Sequence, residues 1–454
     1  MHAALRTELI SLNGAPAAVG RAYGRAAAVS IRRDVAAFRD AVAASDLAPG
    51  EIERRVDHYR AIVDRVAPYW PEEMAAIAAG AGVAEGDYTA HVAQKYVLKA
   101  TRSAPAPPSH ECTSFLATGA ATADGISILH KNRDSAPRPQ GLWVRAISGI
   151  YRYLAGGDAS DHGVIHFVNE HGLAGAMNAG SPNDDTVAEG LPTPQVLRLI
   201  AEKATTCEEA LAILEEIVGR GWYTNGPSGS LWLFVEPARG LVVENTFRHI
   251  DHVWIENDVH ARANDFFLPN TLPFTRPDAL TNTRYLAARR GVERVRGHVT
   301  AADFNWLSRD TASEPQRICG DSTLSGFTAV VGGELPALLS MAWVALGHPN
   351  NALHVPFFVG AEGTPAFVMD GTLWELSARL HAANPRGPHP DLDIAGYEED
   401  VERDVAAVRA EVSHLGLAGR TAEAVARLTV VSSDWAVRAA AQLDLAACAA
   451  PRTA

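Results

Sequence analysis

The chain has 454 residues, 47% of them hydrophobic and 20% charged, which is material for a large core and not the composition of a disordered chain. A formal charge of −13 argues against nucleic acid or an anionic membrane as a partner, because both require basic patches. Four cysteines (112, 207, 319 and 448) form neither a CxxC pair nor a zinc spacing, so no metal is expected, and the thiols are expected free in a reducing cytoplasm.

The opening, MHAALRTELISLNG, lacks the apolar centre of a signal peptide, and no stretch approaches the roughly 20 apolar residues of a membrane span. A strand-like run, Glu8 to Leu12, leads into helical apolar spacing after Pro16. Further helical patterns follow at about 50–66, 71–81 and 86–100. The segment 101–110, TRSAPAPPSH, holds three prolines among small polar residues and reads as an exposed loop, where chains are readily cut. Strand-like runs then cluster at 113–118, 125–131, 142–154, 163–168, 173–178, 231–236, 241–246, 252–255, 325–330, 337–344 and 366–370. Paired helices at about 193–219 interrupt them, the second opened by a capping box from Thr206 to Glu209, and another helix spans about 279–296. Clustered strands with paired helices predict an α+β fold built on antiparallel sheets. A proline-rich break at 384–393 precedes a charged, Ala-rich helical tail. The organisation expected is a helical segment 1–111, a core 112–383 and a helical extension 394–454.

Cys112 stands where helical character gives way to strand character. Two apolar runs (Phe115, Leu116; Ile126, Ile128, Leu129) flank a turn signal at Asp124-Gly125, and the second ends in Lys131-Asn132-Arg133-Asp134. A β-hairpin here brings the Cys112 thiol and the Asp134 carboxylate close in space. Asn178, Asn264 and Arg284 stand in small-residue or turn contexts; by default the asparagines are turn formers and the arginine an ion-pair partner. GPSGS at 226–230 lacks the flanking glycine of a nucleophile elbow, and His110-Glu111 lacks the second histidine of HExxH. A conventional Cys-His enzyme with His171 or His354 as partner remains open, as does a non-catalytic scaffold.

The set Cys112-Thr113-Ser114, Lys131 to Asp134, Asn178, Asn264 and Arg284, in that order, resembles the acyl-coenzyme A:6-aminopenicillanic acid acyltransferases, a cysteine branch of the N-terminal-nucleophile hydrolases. Bile salt hydrolases and penicillin V acylases are more distant relatives. The resemblance runs from about 13 to 345. GAPAAVGRAYGRAAA is similar to the family's opening G-x-P-x-x-x-G-x-x-x-G helix, PYWPEEMAAIAAGAG to its second helix, and NEHGLAGAMNAG to its strand with an oxyanion asparagine.

The resemblance implies a four-layer αββα sandwich, with a helical prosegment before it and the helical tail after it. It also implies a proenzyme that cuts itself between Glu111 and Cys112. The freed α-amine, with a pKa of about 7.7–8.0, then serves as base for its own thiol, and no histidine is needed. Carried over residue by residue, Cys112 is the nucleophile, Asp134 orients amine and thiol, Asn178 and Asn264 form the oxyanion hole, and Arg284 holds the site by ion pairing. Lys131 stands where the bile salt enzymes have arginine and the penicillin enzyme glutamine; a positive charge there favours the thiolate and meets the substrate. Phe115 and Phe266 are candidate substrate walls, with Trp143, Tyr151 and Phe267. Glu111 replaces the penicillin enzyme's glycine, and Cys319-Gly320 its Cys-Arg, which argues against the same β-lactam substrate. The activity implied is hydrolysis or transfer at a linear amide through a Cys112 thioester, on a small-molecule amide or acyl donor. No cofactor is implied, with acyl-coenzyme A admitted as co-substrate; the fragments are expected to stay associated, and a homo-oligomer is compatible with the sequence.

Overall fold

A computed structural model describes residues 6–98, 112–182, 184, 189–226 and 228–449; Glu111, the expected residue before the cut, lies outside them. Six helices open the chain: α1 (Pro16–Ala26), α2 (Ala28–Ala43), α3 (Pro49–Val66), α4 (Trp70–Ala81), α5 (Glu85–Val92) and α6 (Gln94–Val97). α1 packs on α4 at unusually close range. A Cβ on Gly20 would stand 2.4 Å from the Glu73 carbonyl oxygen, one on Gly24 2.2 Å from that of Ile77, and one on Gly80 2.6 Å from that of Arg21. The spaced glycines of the opening motif therefore remove side chains where two helix backbones meet.

Two sheets follow. The first has eight strands: β1 (Leu12–Gly14), and, further along the chain, β4 (Gln140–Ile147), β5 (Tyr153–Asp158), β6 (His166–Asn169), β7 (Ala174–Pro182), β8 (Ser228–Val235), β9 (Gly240–Asn245) and β10 (Ile250–Ile255). They lie in the order β10-β9-β8-β7-β6-β5-β4-β1, antiparallel except that edge strand β1 runs parallel to β4. The second sheet has six: β2 (Thr113–Ala117), β3 (Ile128–Asp134), β11 (Val259–Arg262), β12 (Thr323–Val330), β13 (Met341–Leu346) and β14 (Val355–Phe358), ordered β11-β2-β3-β12-β13-β14 and antiparallel throughout. The fold is α+β with antiparallel sheets, as the clustered strands predict.

Strand alternation sorts the core. On β4, Trp143 belongs to an apolar cluster shared with the N-terminal helices and with α7 (Thr193–Lys203) and α8 (Cys207–Gly219). Its neighbours Leu142 and Val144 belong instead to a second cluster that also holds Leu116, Leu129 and Phe327 of the six-stranded sheet. One face of each sheet therefore meets the other sheet across a shared core. The outer face of the six-stranded sheet is covered near Phe115 by α9 (Thr283–Arg294) and α10 (Ala301–Leu307). Further along, it is covered by α11 (Thr372–Ala383), α12 (Ile394–Leu417) and α13 (Thr421–Ala449), the last two an antiparallel pair tied by Arg427–Glu411 and Arg438–Asp404.

Several boundaries differ from the sequence pattern. The run 142–154 is two strands joined across a turn at Gly149, whose φ is +80°. The run 366–370 is a short helix, Ala366–Met369, started by Pro365; four apolar residues in a row do not distinguish a buried helix turn from a strand. Likewise 337–344 opens with a helical turn, Pro336–Leu339, before β13. Strands β11 and β14 and helix α10 escaped the pattern because each is only four to seven residues long. Thr206 caps α8, accepting from the Glu209 N–H at 3.2 Å, but the Glu209 carboxylate reaches back to the Thr205 N–H, so the box is displaced by one residue.

Candidate active site

The hairpin expected around Cys112 forms. Thr113 pairs with Asn132 and Ala117 with Ile128, which sets Cys112, one residue before β2, beside the end of β3. Its Sγ approaches the Asp134 carbonyl oxygen at 3.8 Å. Alternation turns Ser114, Leu116, Leu129, Lys131 and Arg133 toward the eight-stranded sheet, and Phe115, His130 and Asn132 away from it. Ser114 Oγ and Lys131 Nζ both donate to Asn178 Oδ1 on β7, at 2.8 and 2.7 Å.

Asn178 on β7 and Asn264, two residues past the end of β11, bind each other's backbone reciprocally. Asn178 Nδ2 donates to the Ala263 carbonyl at 2.8 Å, the residue before Asn264. Asn264 Nδ2 donates to the Ala179 carbonyl at 2.7 Å, the residue after Asn178. Each amide nitrogen carries a second N–H beyond the one used here. Arg284, at the start of α9, donates to Asn264 Oδ1 at 2.9 Å and to Asp134 Oδ2 at 3.3 Å. The five residues Asp134, Arg284, Asn264, Asn178 and Lys131 thus form a buried chain of contacts beginning and ending beside Cys112. Cys112 itself is 7% exposed, whereas Lys131 and Asn178 are wholly buried.

Burial pulls the Lys131 ammonium below the usual lysine range, and the neighbouring Cys112 and Asp134 oppose that shift. Arg133 instead meets its match: its two terminal nitrogens grip the Asp158 carboxylate at 2.6 and 2.9 Å, with Gln140 Nε2 adding a bond at 2.9 Å. Although burial alone would raise it, Arg133 and Arg138 hold Asp158 below the ordinary carboxylate range. Ser114 and Arg133 stood in the sequence motifs without an assigned role, because their partners, Asn178 and Asp158, lie on other strands.

The aromatic candidates divide. Phe115 stacks on His130 with centroids 4.5 Å apart and meets Phe304 edge-on, within the core under α10. Phe266 is fully buried against backbone: Cβ atoms on Gly180 or Gly229 would each come within 2.6 Å of its ring. Trp143 faces the helical layer against Tyr23, Tyr151 packs on His171, and Phe267 stacks on Tyr285. None of these five lines the cavity beside the site. That cavity, about 800 Å³, is bounded by Arg133 and Ser135 flanking Asp134, by Asp158 and Ile165, and by Phe38 and His91 of the N-terminal helices.

Neither candidate histidine bonds Cys112. His354 is engaged at both ring nitrogens, Nδ1 by Arg309 (2.7 Å) and Glu398 (3.2 Å) and Nε2 by Ser308 (3.5 Å), and burial lowers its pKa to about 4. Burial pushes the Cys319 thiol up to about 12 and that of Cys207 well above the usual range, which leaves both unreactive.

The family of acyl-coenzyme A:6-aminopenicillanic acid acyl-transferases matches the chain over residues 122–296. The resemblance read from the sequence is borne out over that stretch. It takes in Lys131, Asp134, Asn178, Asn264 and Arg284, and is shorter than the span 13–345 drawn from the motifs. No curated protein matches the chain. Among solved structures, it is similar to a Caenorhabditis elegans N-acylethanolamine-hydrolyzing acid amidase ortholog (TM-score 0.37, 13% identity, covering 50% of this chain and 94% of that one). It is also similar to a variant of the conjugated bile acid hydrolase from Clostridium perfringens (TM-score 0.36, 11% identity, covering 57% and 94%). No described helix is long and apolar enough to cross a membrane.

Proposed function

We propose that this chain is a cysteine amidohydrolase or acyltransferase of the N-terminal-nucleophile type, with the four-layer αββα arrangement, that cuts itself between Glu111 and Cys112. Cys112 attacks the carbonyl of a small-molecule amide or acyl donor, acyl-coenzyme A included, and its freed α-amine takes the thiol proton. Asp134 positions that amine, held in turn by Arg284. The second N–H groups of Asn178 and Asn264 receive the oxyanion. The thioester then passes its acyl group to water or to an amine, and no resident cofactor is required.

The observation that carries this reading is the pair of reciprocal bonds between Asn178 and Asn264. They hold two amides, one on β7 and one just past the end of β11, against each other's backbone, with a second N–H on each to meet a developing negative charge. The 800 Å³ cavity, lined by Arg133 and Ser135 on either side of Asp134 but by none of the proposed catalytic residues, is of a size for a small ligand. The N-terminal fragment is expected to stay bound after the cut, because its Tyr23, Ile31, Tyr59 and Trp70 are buried in one core with Trp143 and Tyr153 of the eight-stranded sheet. A cytoplasmic enzyme is consistent with the free cysteines; association into a homo-oligomer is an open part of the proposal.

Intact mass under denaturing conditions tests the reading. Wild type should give two fragments, the larger beginning at Cys112, and Cys112→Ala one full-length mass. A single uncut mass for both proteins would remove the α-amine as base and the reading with it.

A further inference from the structure

An oxyanion hole needs its two amides at a fixed spacing, and here only one of them stands on a strand. Asn178 takes its place from the ladder of β7, paired with Leu231 of β8. Asn264 lies past the end of β11, in a stretch that reaches α9 with no further strand. Backbone N–H groups in such a stretch have no ladder to take them up and need other acceptors. Arg284 bonds the Asn264 Oδ1 at 2.9 Å, which turns the amide but does not place its backbone.

We infer, on the reading above, that Glu244 is the positioning residue of the oxyanion hole, its carboxylate fixing the backbone that presents Asn264. That carboxylate is fully buried and binds the chain on both sides of Asn264. Before it, Arg262 Nε donates to Oε1 at 3.2 Å. After it, the Phe267 N–H donates to Oε1 at 3.0 Å and to Oε2 at 2.9 Å. The Leu268 N–H adds a bond to Oε2 at 2.9 Å, and Thr271 Oγ1 another at 2.6 Å. Arg262 Cζ also lies 5.2 Å from the centroid of the Phe267 ring, which closes the two arms on each other. Two further ties are weaker or local. Ser181 Oγ of β7 meets the Asn264 carbonyl at 3.5 Å and Asp265 at 3.4 Å, and Arg276 binds Asp265 within the same stretch at 2.7 Å.

Register puts the anchor in line with the other amide. Asn178, Leu231 and Glu244 stand opposite one another across β7, β8 and β9, so their side chains share one face of the sheet. It is the inner face, whose Ala176, Leu233 and Val242 belong to the core between the sheets. Two strand spacings of about 4.8 Å separate Glu244 from Asn178, so one row of the sheet carries the first amide and the anchor of the second. The spacing of the two amides is then set by the sheet and not by the loop. A neutral side chain cannot take over this task. Four donors converge on two carboxylate oxygens, whereas an amide offers one oxygen and turns its own N–H groups toward the rest. Packing alone does not call for a carboxylate here, since a buried ion pair is often no more stable than apolar side chains of the same volume.

A double-mutant cycle separates positioning from general support of the fold. The full chain is assayed with p-nitrophenyl acetate as acyl donor and Cys112→Ala as the blank, and kcat is referred to the fraction that intact mass shows to be cut. Glu244→Gln should lower kcat about 100-fold with KM within about threefold of wild type, the scale of a reacting group misplaced by about 1 Å. In an Asn264→Ala background no second amide remains to be misplaced, so adding Glu244→Gln should cost less than about threefold more. Losses that multiply in the double variant would mark Glu244 as a support of the fold at large and overturn the inference. So would a Glu244→Gln kcat within about threefold of wild type. Where Glu244→Gln does not fold or does not cut, Thr271→Val decides, since it removes one donor and leaves the carboxylate paired. Its kcat should fall about 3- to 10-fold in the wild-type background, the scale of one hydrogen bond, and hold steady in Asn264→Ala. Equal losses in both backgrounds, or none in either, overturn the inference. A wild type that neither cuts nor turns over the ester, or Asn264→Ala at the wild-type rate, takes down the proposed function instead, which keeps the two failures apart.

Discussion

Two buried polar clusters lie on opposite faces of the eight-stranded sheet, and the contrast between them shows what makes a site. On the outer face, Glu73 of α4 binds Arg145 of β4 at 2.8 Å, His162 at 3.2 Å and Arg198 of α7. Glu202 takes Arg198 (2.7 Å), Tyr69 (2.6 Å), Trp70 (2.9 Å) and Tyr153 (3.0 Å). Every strong charge there faces its opposite. Burial by itself would lower Arg198, but Glu202 and Glu73 outweigh it and hold the guanidinium well above its usual range. On the inner face, Lys131 is just as buried, yet its bonded partner is a neutral amide, and burial wins. The first cluster fastens the N-terminal helices to the sheet; the second gathers an amine, a thiol and two amides, of which the proposed mechanism uses the thiol and the amides. Burial is common to both, and pairing decides the role.

That comparison is broken most completely at the thiol. Cys112→Ala should abolish both turnover and self-cleavage while leaving the outer cluster, and hence the urea unfolding midpoint, near wild type. Next in size, Glu73→Gln should leave Arg145 and Arg198 without their shared carboxylate. The expected cost is about 3–5 kcal/mol of stability, read by urea unfolding, with activity per folded molecule unchanged. Asn264→Ala removes one oxyanion donor and should lower kcat by about 10²–10³-fold, or about 2.7–4 kcal/mol of barrier. A kcat within a few-fold of wild type would take Asn264 out of the oxyanion hole.

The smallest effect is that of one buried histidine on the pH dependence of stability. Burial holds His354 and His162 at about 4 and His130 and His348 at about 3, so all four are neutral in the fold at neutral pH. The unfolded chain protonates them near pH 6.5, binding protons the native state does not, and stability therefore falls as pH drops below that value. The loss continues until the folded values are reached near pH 3–4, with a limiting slope of about 1.4 kcal/mol per pH unit for each histidine. Urea unfolding at a series of pH values, compared with the His354→Gln variant, measures it; an unchanged midpoint between about pH 6.5 and about pH 5 would contradict the neutral, buried rings.

Local pattern carried the α+β class, most strand positions and the hairpin joining Cys112 to Asp134, because each depends on residues within one or two elements; the spaced glycines of α1 stood out only through the family resemblance. Lys131, Asn178, Asn264 and Arg284 were legible only as members of an ordered family pattern. Nothing local distinguishes Asn178 from a turn asparagine. Tertiary structure decided the rest. It gave Phe115 and Phe266 to the core, since a ring's surroundings come from other strands and from glycines at 180 and 229. It turned Pro336–Leu339 and Ala366–Met369 into helical turns, where short apolar runs are equally at home in either form. It set Arg133 on Asp158 and Lys131 on a neutral amide, although both cations stand two residues apart on one strand face. Sequence names the charges a chain carries; which of them meet a counter-charge is fixed only when the two sheets close over them.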